Sequence, residues 1–276
     1  MNKKILIVGG GYIGRRLAKA LDAPLTARRV VTYNDVEALI KKYKPQVLIN
    51  GIGHTGKRNV DDCEAVVEKT LHANTYVPIL MAEAALRHGI KLVHISSGCI
   101  YHFNYKKQQP IQEERAPDYY DLFYSRTKIY AEDMLMRLAN GKHVNVLIAR
   151  IRVPLDNTPH PKNLLTKLIK YRKVIDAPNS VTYIPDFIKA LQHLIARDAK
   201  GIFNIMLKDG LNYPDLMDIY AKKVPGFKYD TIDLKKLNLN RTSLLMSVHK
   251  LEKTGFKVRR VKDVLNECVD GYVNSK

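Results

Sequence analysis

The beginning of the chain restricts its fold most. Lys4-Ile5-Leu6-Ile7-Val8 is an apolar run that reads as a short strand. Gly9-Gly10-Gly11-Tyr12-Ile13-Gly14 follows directly, and residues 15–21 then carry Leu17, Ala20 and Leu21 at helical spacing. Strand, glycine turn and helix, in that order, is the setting in which Gly9-x-Gly11-x-x-Gly14 reads as a dinucleotide fingerprint. Glycines let the backbone approach a pyrophosphate, and the helix start offers it free N–H groups and a partial positive charge. Gly9, Gly11, Tyr12, Ile13 and Gly14 are therefore candidate cofactor contacts.

The rest of the first two thirds repeats the alternation. Strands are expected at residues 46–50, 91–95, 144–151, 181–184 and 201–205, and helices at 36–43, 61–88, 124–139, 164–171 and 186–197. Asp35 is placed to cap the second helix. Ile129, Met134, Leu135 and Leu138 are the expected core positions of the helix at 124–139. Asn74 falls inside the long helical segment, where burial would demand hydrogen-bond partners and partial exposure would not. A polar stretch, residues 103–121, is long for a compact domain unless it has a function. The pattern is that of an α/β fold: a doubly wound parallel sheet, Rossmann-like, with a smaller C-terminal substrate lobe. The expected division is a nucleotide-binding domain over 1–151, to which 181–205 return, and a lobe made of 152–180 and 206–276.

The second strand departs from the usual fingerprint. An acid about 20 residues after the glycines binds the ribose hydroxyls of NAD. The segment Pro24-Leu25-Thr26-Ala27-Arg28-Arg29 has none. Arg28 and Arg29 favour a 2′-phosphate, and so NADPH with NADH as the alternative; two surface arginines are the competing reading. A second glycine-rich strand end, Asn50-Gly51-Ile52-Gly53, is placed to lie under the cofactor, which makes Asn50 and Gly51 candidates too.

Composition narrows the function classes. The 276 residues carry a formal net charge of +19, but the basic residues are scattered and match no nucleic-acid motif, so no nucleic-acid partner is expected. A positive field also suits an anionic small substrate. No apolar run is long enough to span a bilayer, and no membrane partner is expected. Three cysteines, Cys63, Cys99 and Cys268, form neither a disulfide framework nor a metal pattern, which fits a cytoplasmic protein without a metal site.

Ser96-Ser97-Gly98-Cys99-Ile100-Tyr101 follows the run Lys91-Leu92-Val93-His94-Ile95, at the end of a parallel strand where open α/β sheets bind ligands. Ser97 and Cys99 point the same way if the chain stays extended. Tyr124-Ser125-Arg126-Thr127-Lys128 places a phenol and an ammonium one helical turn apart.

Together, the glycine turn, Ser97 and Tyr124-x-x-x-Lys128 resemble the extended short-chain dehydrogenase/reductase family. More narrowly, several stretches are similar to the bifunctional UDP-4-keto-6-deoxy-glucose 3,5-epimerase/4-reductases that make UDP-rhamnose. They include Thr55-Gly56-Lys57-Arg58-Asn59-Val60-Asp61-Asp62-Cys63-Glu64, Gly98-Cys99-Ile100, Arg150-Ile151-Arg152-Val153-Pro154 and Lys162-Asn163-Leu164-Leu165-Thr166-Lys167. The resemblance implies NADPH-dependent reduction, with Tyr124 as proton donor, Lys128 holding the nicotinamide ribose and Ser97 on the carbonyl oxygen. It implies Cys99 and Lys167 as an acid/base pair for epimerisation; apart from it, Cys99 reads as a small core residue. Arg152 and Asn163 become candidates for the diphosphate and uracil end of a UDP-linked 4-keto-6-deoxy sugar, with Arg241 and Lys250 weaker. Asn59 and Asp61 are candidates for sugar hydroxyls or else belong to a surface turn. The family's habit also implies a homodimer. Two alternatives remain: a dTDP-4-dehydrorhamnose reductase-like enzyme without epimerase activity, and a non-catalytic NADP-binding regulatory subunit.

Overall fold

The computed structural model describes residues 3–140, 145–233 and 243–275; Arg241 lies outside them. The chain divides into two compact units. The first holds residues 1–100, 117–150 and 195–203, and the second 101–116, 151–194 and 204–276.

The first unit is built on a six-stranded sheet. Strands β1 (Ile5–Val8), β2 (Leu25–Thr26), β3 (Val47–Asn50), β4 (Lys91–Ser97) and β5 (Val146–Ile151) run in the order β2-β1-β3-β4-β5. The strand Gly201–Asn204 closes the β5 edge. β1 pairs in parallel with β2 and with β3, and β3 with β4. Leu6, Ile7, Val8, Leu48, Ile49, Leu92 and Val93 are fully buried, as strands covered on both faces require. The order reverses at β1, so β1 and β3 flank a topological switch point where ligands bind.

Helices α1 (Tyr12–Leu21) and α2 (Tyr33–Tyr43) follow the first two strands. Asp35 is not the N-cap of α2. That helix starts earlier, with Thr32 as N-cap, and Asp35 sits at its third position, where its carboxylate accepts from the Thr32 N–H at 3.0 Å. The expected long helix over 61–88 is broken into four pieces. A 3-10 turn (Val60–Ala65) leads to α3 (Val67–Leu71), a single π turn (His72–Tyr76) and α4 (Val77–Arg87). Next comes α5 (Phe123–Asn140), which buries Ile129 and Leu135. Met134 is 40% exposed, contrary to expectation. It lies four residues from Tyr130, which is 43% exposed, so both fall on the outer stripe of the helix.

The second unit has its own core, which includes Leu155, Leu165, Leu168, Val181, Leu216 and Val269. β6 (Pro154–Leu155) pairs in parallel with β8 (Thr182–Tyr183), and β7 (Lys173–Ile175) with a late strand, Asp230–Ile232, that the sequence pattern does not announce. Its helices include α6 (Leu164–Tyr171), at the expected bounds, and the later helices Tyr213–Lys223 and Leu265–Asn274. The first part of the polar stretch, 101–116, is packed into this unit: Ile111 is 2% exposed, and its carbonyl accepts from the Ser247 N–H at 2.8 Å. No helix of the described residues is long and apolar enough to cross a membrane. None of their His, Cys, Asp and Glu side chains form a metal-binding cluster.

Candidate active site

The glycine turn has a geometry that glycine alone permits. Gly9 sits at φ +121°, and a Cβ there would stand 2.6 Å from the Gly51 carbonyl carbon and the Ile52 nitrogen. A Cβ on Gly14 would lie 2.0 Å from the Gly9 oxygen. The two glycine-rich strand ends therefore touch at the switch point. No side chain caps α1, its N-cap Gly11 has nothing within 4 Å of a notional Cβ, and its first turn has no acid. This open, uncapped helix start suits an anionic diphosphate. Arg15 Nε donates to the Gly10 carbonyl at 2.7 Å, which adds a guanidinium beside the turn that the glycine pattern gave no reason to single out. Arg28 and Arg29 are both exposed, and Arg28 pairs with Asp35 at 3.3 Å.

Asn50 is fully buried, and its amide serves the fold. Oδ1 accepts from the Ile52 N–H at 3.0 Å, and Nδ2 meets His94 Nδ1 at 3.1 Å. With the Asn50 amide as donor, His94 carries its proton on Nε2. Burial first, and then the nearby Lys128 charge, hold His94 well below its usual range, so it is neutral.

β4 ends at Ser97, and the chain turns over residues 98–100. The extended path that would have carried Ser97 and Cys99 along one face is therefore absent. Instead the Cys99 N–H donates to Ser97 Oγ at 3.1 Å. Because Ser97 Oγ accepts that bond, its own hydrogen remains for donation. The Cys99 carbonyl accepts from Ser125 Oγ at 2.5 Å, and Cys99 is half-buried. Ser125 stands next to Tyr124 on α5, so one hydroxyl ties the Cys99 turn to the helix bearing the phenol.

Tyr124 and Lys128 are 6% and 4% exposed. Lys128 Nζ donates to the Ile95 carbonyl at 3.3 Å, and burial pushes its pKa down to about 8, with Glu132 acting the other way. Asn74 is fully buried and partnered. Its Oδ1 accepts from the His54 N–H at 2.7 Å, and its Nδ2 donates to the His54 carbonyl at 3.0 Å and to Thr127 Oγ1 at 3.1 Å. Its amide thus clamps the loop after β3 to α5, and the π turn supplies the geometry. A notional Cβ on Gly53 would meet Asn74 Oδ1 at 3.5 Å and Lys128 Nζ at 3.7 Å, so the glycine strand end, the clamp and the ammonium converge. Glu64 adds a further tie to α5: its carboxylate accepts from the Phe123 N–H at 2.6 Å, at the start of the helix.

Asn59 Oδ1 accepts from the Asp61 N–H at 2.9 Å and so caps the 3-10 turn, the surface-turn alternative of the sequence; Asp61 is half-buried beside it. In the second unit, Lys167 lies half-buried on α6. Asn163 is the N-cap of that helix and fully buried, with all four hydrogen bonds of its amide made inside the protein. The residue expected to contact substrate therefore carries a structural duty as well. Arg152 is 2% exposed, its Nε donates to Asn179 Oδ1 at 2.8 Å, and Lys250 pairs with Glu114 at 3.7 Å.

A parallel sheet with a glycine turn at its switch point, a serine at a strand end and a buried Tyr-x-x-x-Lys pair define an extended short-chain dehydrogenase/reductase, a class of nicotinamide-dependent oxidoreductases. Within it, the chain belongs to the RmlD substrate binding domain family, whose profile matches residues 3–186. It is 28% identical, over 95% of its length, to the trifunctional UDP-glucose 4,6-dehydratase/UDP-4-keto-6-deoxy-D-glucose 3,5-epimerase/UDP-4-keto-L-rhamnose-reductase of Arabidopsis thaliana, and spans 41% of that protein. It is also 28% identical to the bifunctional dTDP-4-dehydrorhamnose 3,5-epimerase/dTDP-4-dehydrorhamnose reductase of the same plant, over 82% of this chain and 77% of the relative. Among solved structures, the L780 UDP-rhamnose synthase of Acanthamoeba polyphaga mimivirus superposes with a TM-score of 0.87 at 21% identity, covering 97% of this chain and 99% of that one. The dTDP-4-dehydrorhamnose reductase of Bacillus anthracis, solved with NADP, gives 0.82 at 15% identity and full coverage of both.

Proposed function

We propose that this chain converts a UDP-linked 4-keto-6-deoxy-glucose to the rhamnose sugar, inverting carbons 3 and 5 and then reducing the C4 ketone with NADPH. The observation that carries the reductase half is the buried Tyr124–Lys128 pair on a helix packed against the strand that ends in Ser97, in a chain of this family. The uncapped start of α1 and the Gly9–Gly51 contact hold the cofactor's diphosphate, with Arg15, Arg28 and Arg29 as the basic groups near its adenosine end. When bound there, NADPH would supply the hydride that C4 requires. Ser97 donates its remaining hydrogen to the ketone oxygen and so stabilises the developing alkoxide. Tyr124 delivers the proton to that oxygen, and the Lys128 ammonium stabilises the phenolate left behind.

Epimerisation uses the same ketone differently. The C4 carbonyl acidifies the hydrogens on C3 and C5, and inversion needs removal on one face and return on the other. Cys99 and Lys167 are the two acid/base groups in this reading, which rests on the plant relatives with both activities. Ser125 fixes the Cys99 carbonyl, and Asn163 anchors the helix carrying Lys167.

Incubation with UDP-4-keto-6-deoxy-glucose in D2O tests both halves. Deuterium enters carbons 3 and 5 without NADPH, and rhamnose appears on its addition. Cys99→Ala abolishes exchange yet reduces an already epimerised substrate, and Tyr124→Phe does the reverse. Reduction of epimerised substrate with no exchange in the intact protein would leave a reductase without epimerase activity.

A further inference from the structure

One buried polar cluster has no part in the chemistry above. Arg150, on β5, is 1% exposed and Glu132, on α5, 3%. Arg150 Nε donates to both Glu132 oxygens at 3.1 and 3.0 Å, and its NH2 to Oε2 at 2.6 Å. Ser96 Oγ, on β4, donates to Glu132 Oε1 at 2.5 Å. This many donors from two strands hold one helix carboxylate in a single position.

Its place on the helix gives the cluster its meaning. Glu132 is four residues after Lys128, so the two share a face of α5. His94 and Ser96 share a face of β4. One stripe therefore runs from His94 and Lys128 to Ser96, Glu132 and Arg150. The titratable groups on the elements around Lys128 are Tyr124 and Glu132 of its own helix, Glu132 acting on its charge, and neutral His94 of β4; Arg150 of β5 is bound to Glu132, and His54 of the loop after β3 turns Nδ1 to Thr70 Oγ1 at 3.0 Å. The 3-10 turn packed on α5 adds Asp61, Asp62 and Glu64. Asp62 is engaged by Arg58 and Glu64 by the start of α5. Glu132 is the group whose charge acts on Lys128 in favour of its proton. Arg150 needs a buried counter-charge, but the helix position of that counter-charge, one turn from Lys128, is not dictated by Arg150.

We propose that Glu132 is a positioning residue for the reduction: locked by Arg150 and Ser96, it supplies the fixed negative charge that keeps the Lys128 side chain an ammonium at the end of β4. The proposal rests on the reading of Lys128 as part of the reductase site.

The test is the titration of Lys128 in protein labelled with [ε-13C]lysine, its signal identified by loss in Lys128→Met. In the intact protein the midpoint falls near 8. Glu132→Gln keeps the shape and removes the charge, and lowers the midpoint by about one pH unit, a tenfold loss of proton affinity. The alkaline limb of kcat moves with it. Glu132→Asp keeps the charge but draws it back, and moves the midpoint by a smaller amount in the same direction. It decides the matter alone if the Gln variant does not fold. A midpoint unmoved in the folded variants, with only Tm lowered, makes Glu132 a structural partner of Arg150 and overturns the proposal. Full reductase activity in Lys128→Met would instead overturn the role of Lys128, whatever the titration shows.

Discussion

Asn163 is the sharpest point at which a structural and a ligand role part company. Its Oδ1 accepts from the Leu165 N–H and the Asp156 N–H, each at 3.1 Å, while Nδ2 donates to the Asp156 carbonyl at 2.8 Å and the Thr158 carbonyl at 2.9 Å. Asn163→Ala removes all four bonds in a site with no solvent exposure, and the Asp156 carbonyl keeps another donor, the Cys268 thiol at 3.4 Å. Loss of the helix cap costs about 1 kcal/mol. The three remaining bonds cost roughly 1 kcal/mol each, so the total is about 4 kcal/mol. At roughly 2–4 °C per kcal/mol for a chain of this size, Tm falls by about 8–16 °C. Thermal unfolding followed by circular dichroism measures this, and initial rates below Tm give KM. A fall of only a degree or two together with a KM for the nucleotide sugar raised about tenfold, the loss of one good contact, would refute the reasoning. Asn163 would then be a substrate ligand whose backbone partners find other company.

Gly14→Ala forces a methyl to within 2.0 Å of the Gly9 oxygen, so NADPH affinity, read by fluorescence titration, falls about tenfold or more, whereas Gly11→Ala, with open space around it and φ −74°, leaves Tm unchanged. The Lys128 contribution to stability should rise with pH between about 8 and 10.5. The folded state releases the Lys128 proton near 8 and the unfolded state only near 10.5, so between these values the unfolded chain holds more protons. The rise, measured by urea unfolding, is smaller in Lys128→Met by that group's share; an identical pH dependence in both proteins contradicts it. Glu64→Ala removes the acceptor of the Phe123 N–H and costs about 1 kcal/mol, while Glu64→Gln retains most of it. Equal losses in the two would point to the half-exposed Arg126 pair, 3.7 Å away, rather than the cap.

Legibility in the sequence followed the range of the interactions. β1 is a continuous apolar run, β3 is one up to Asn50, and β4 carries Leu92, Val93 and Ile95 around His94; burial on both faces leaves such runs few alternatives. α6 was readable to the residue because its stop signals are local: Asn163 caps its start and Arg172, in the left-handed region, ends it. The break in the helix over 61–88 was not readable. The π turn at Asn74 follows from an amide whose partners are 20 and 53 residues away, and local spacing carries no trace of them. The strand Asp230–Ile232 is short and mostly exposed, so it has no apolar signature. The Ser97–Cys99 geometry failed for a local reason: the serine hydroxyl accepts the N–H two residues on and turns the chain where continued extension was assumed.

The asparagines and serines of the site show why identity alone assigns roles poorly. An amide that can bind a ligand can satisfy backbone groups equally well, and Asn50, Asn59 and Asn163 are all engaged in doing so. Bond direction decides between the two uses. Ser96 and Ser97 are neighbours in sequence and point to opposite faces of β4. Ser96 donates its hydrogen to Glu132, which already takes a guanidinium, so that hydroxyl has no proton left to offer a substrate. Ser97 accepts from the Cys99 N–H and keeps its hydrogen. The structure thus separates two chemically identical side chains into one that fixes the helix and one that is poised to donate. Ser97→Ala should therefore lower kcat for reduction with little change in Tm. Ser96→Ala should lower Tm, since it loosens Glu132, and should touch kcat only through the alkaline limb that Glu132 governs, leaving the plateau near that of the intact protein. A matching loss of kcat in both variants at unchanged Tm would mean that hydrogen-bond direction is not what separates them.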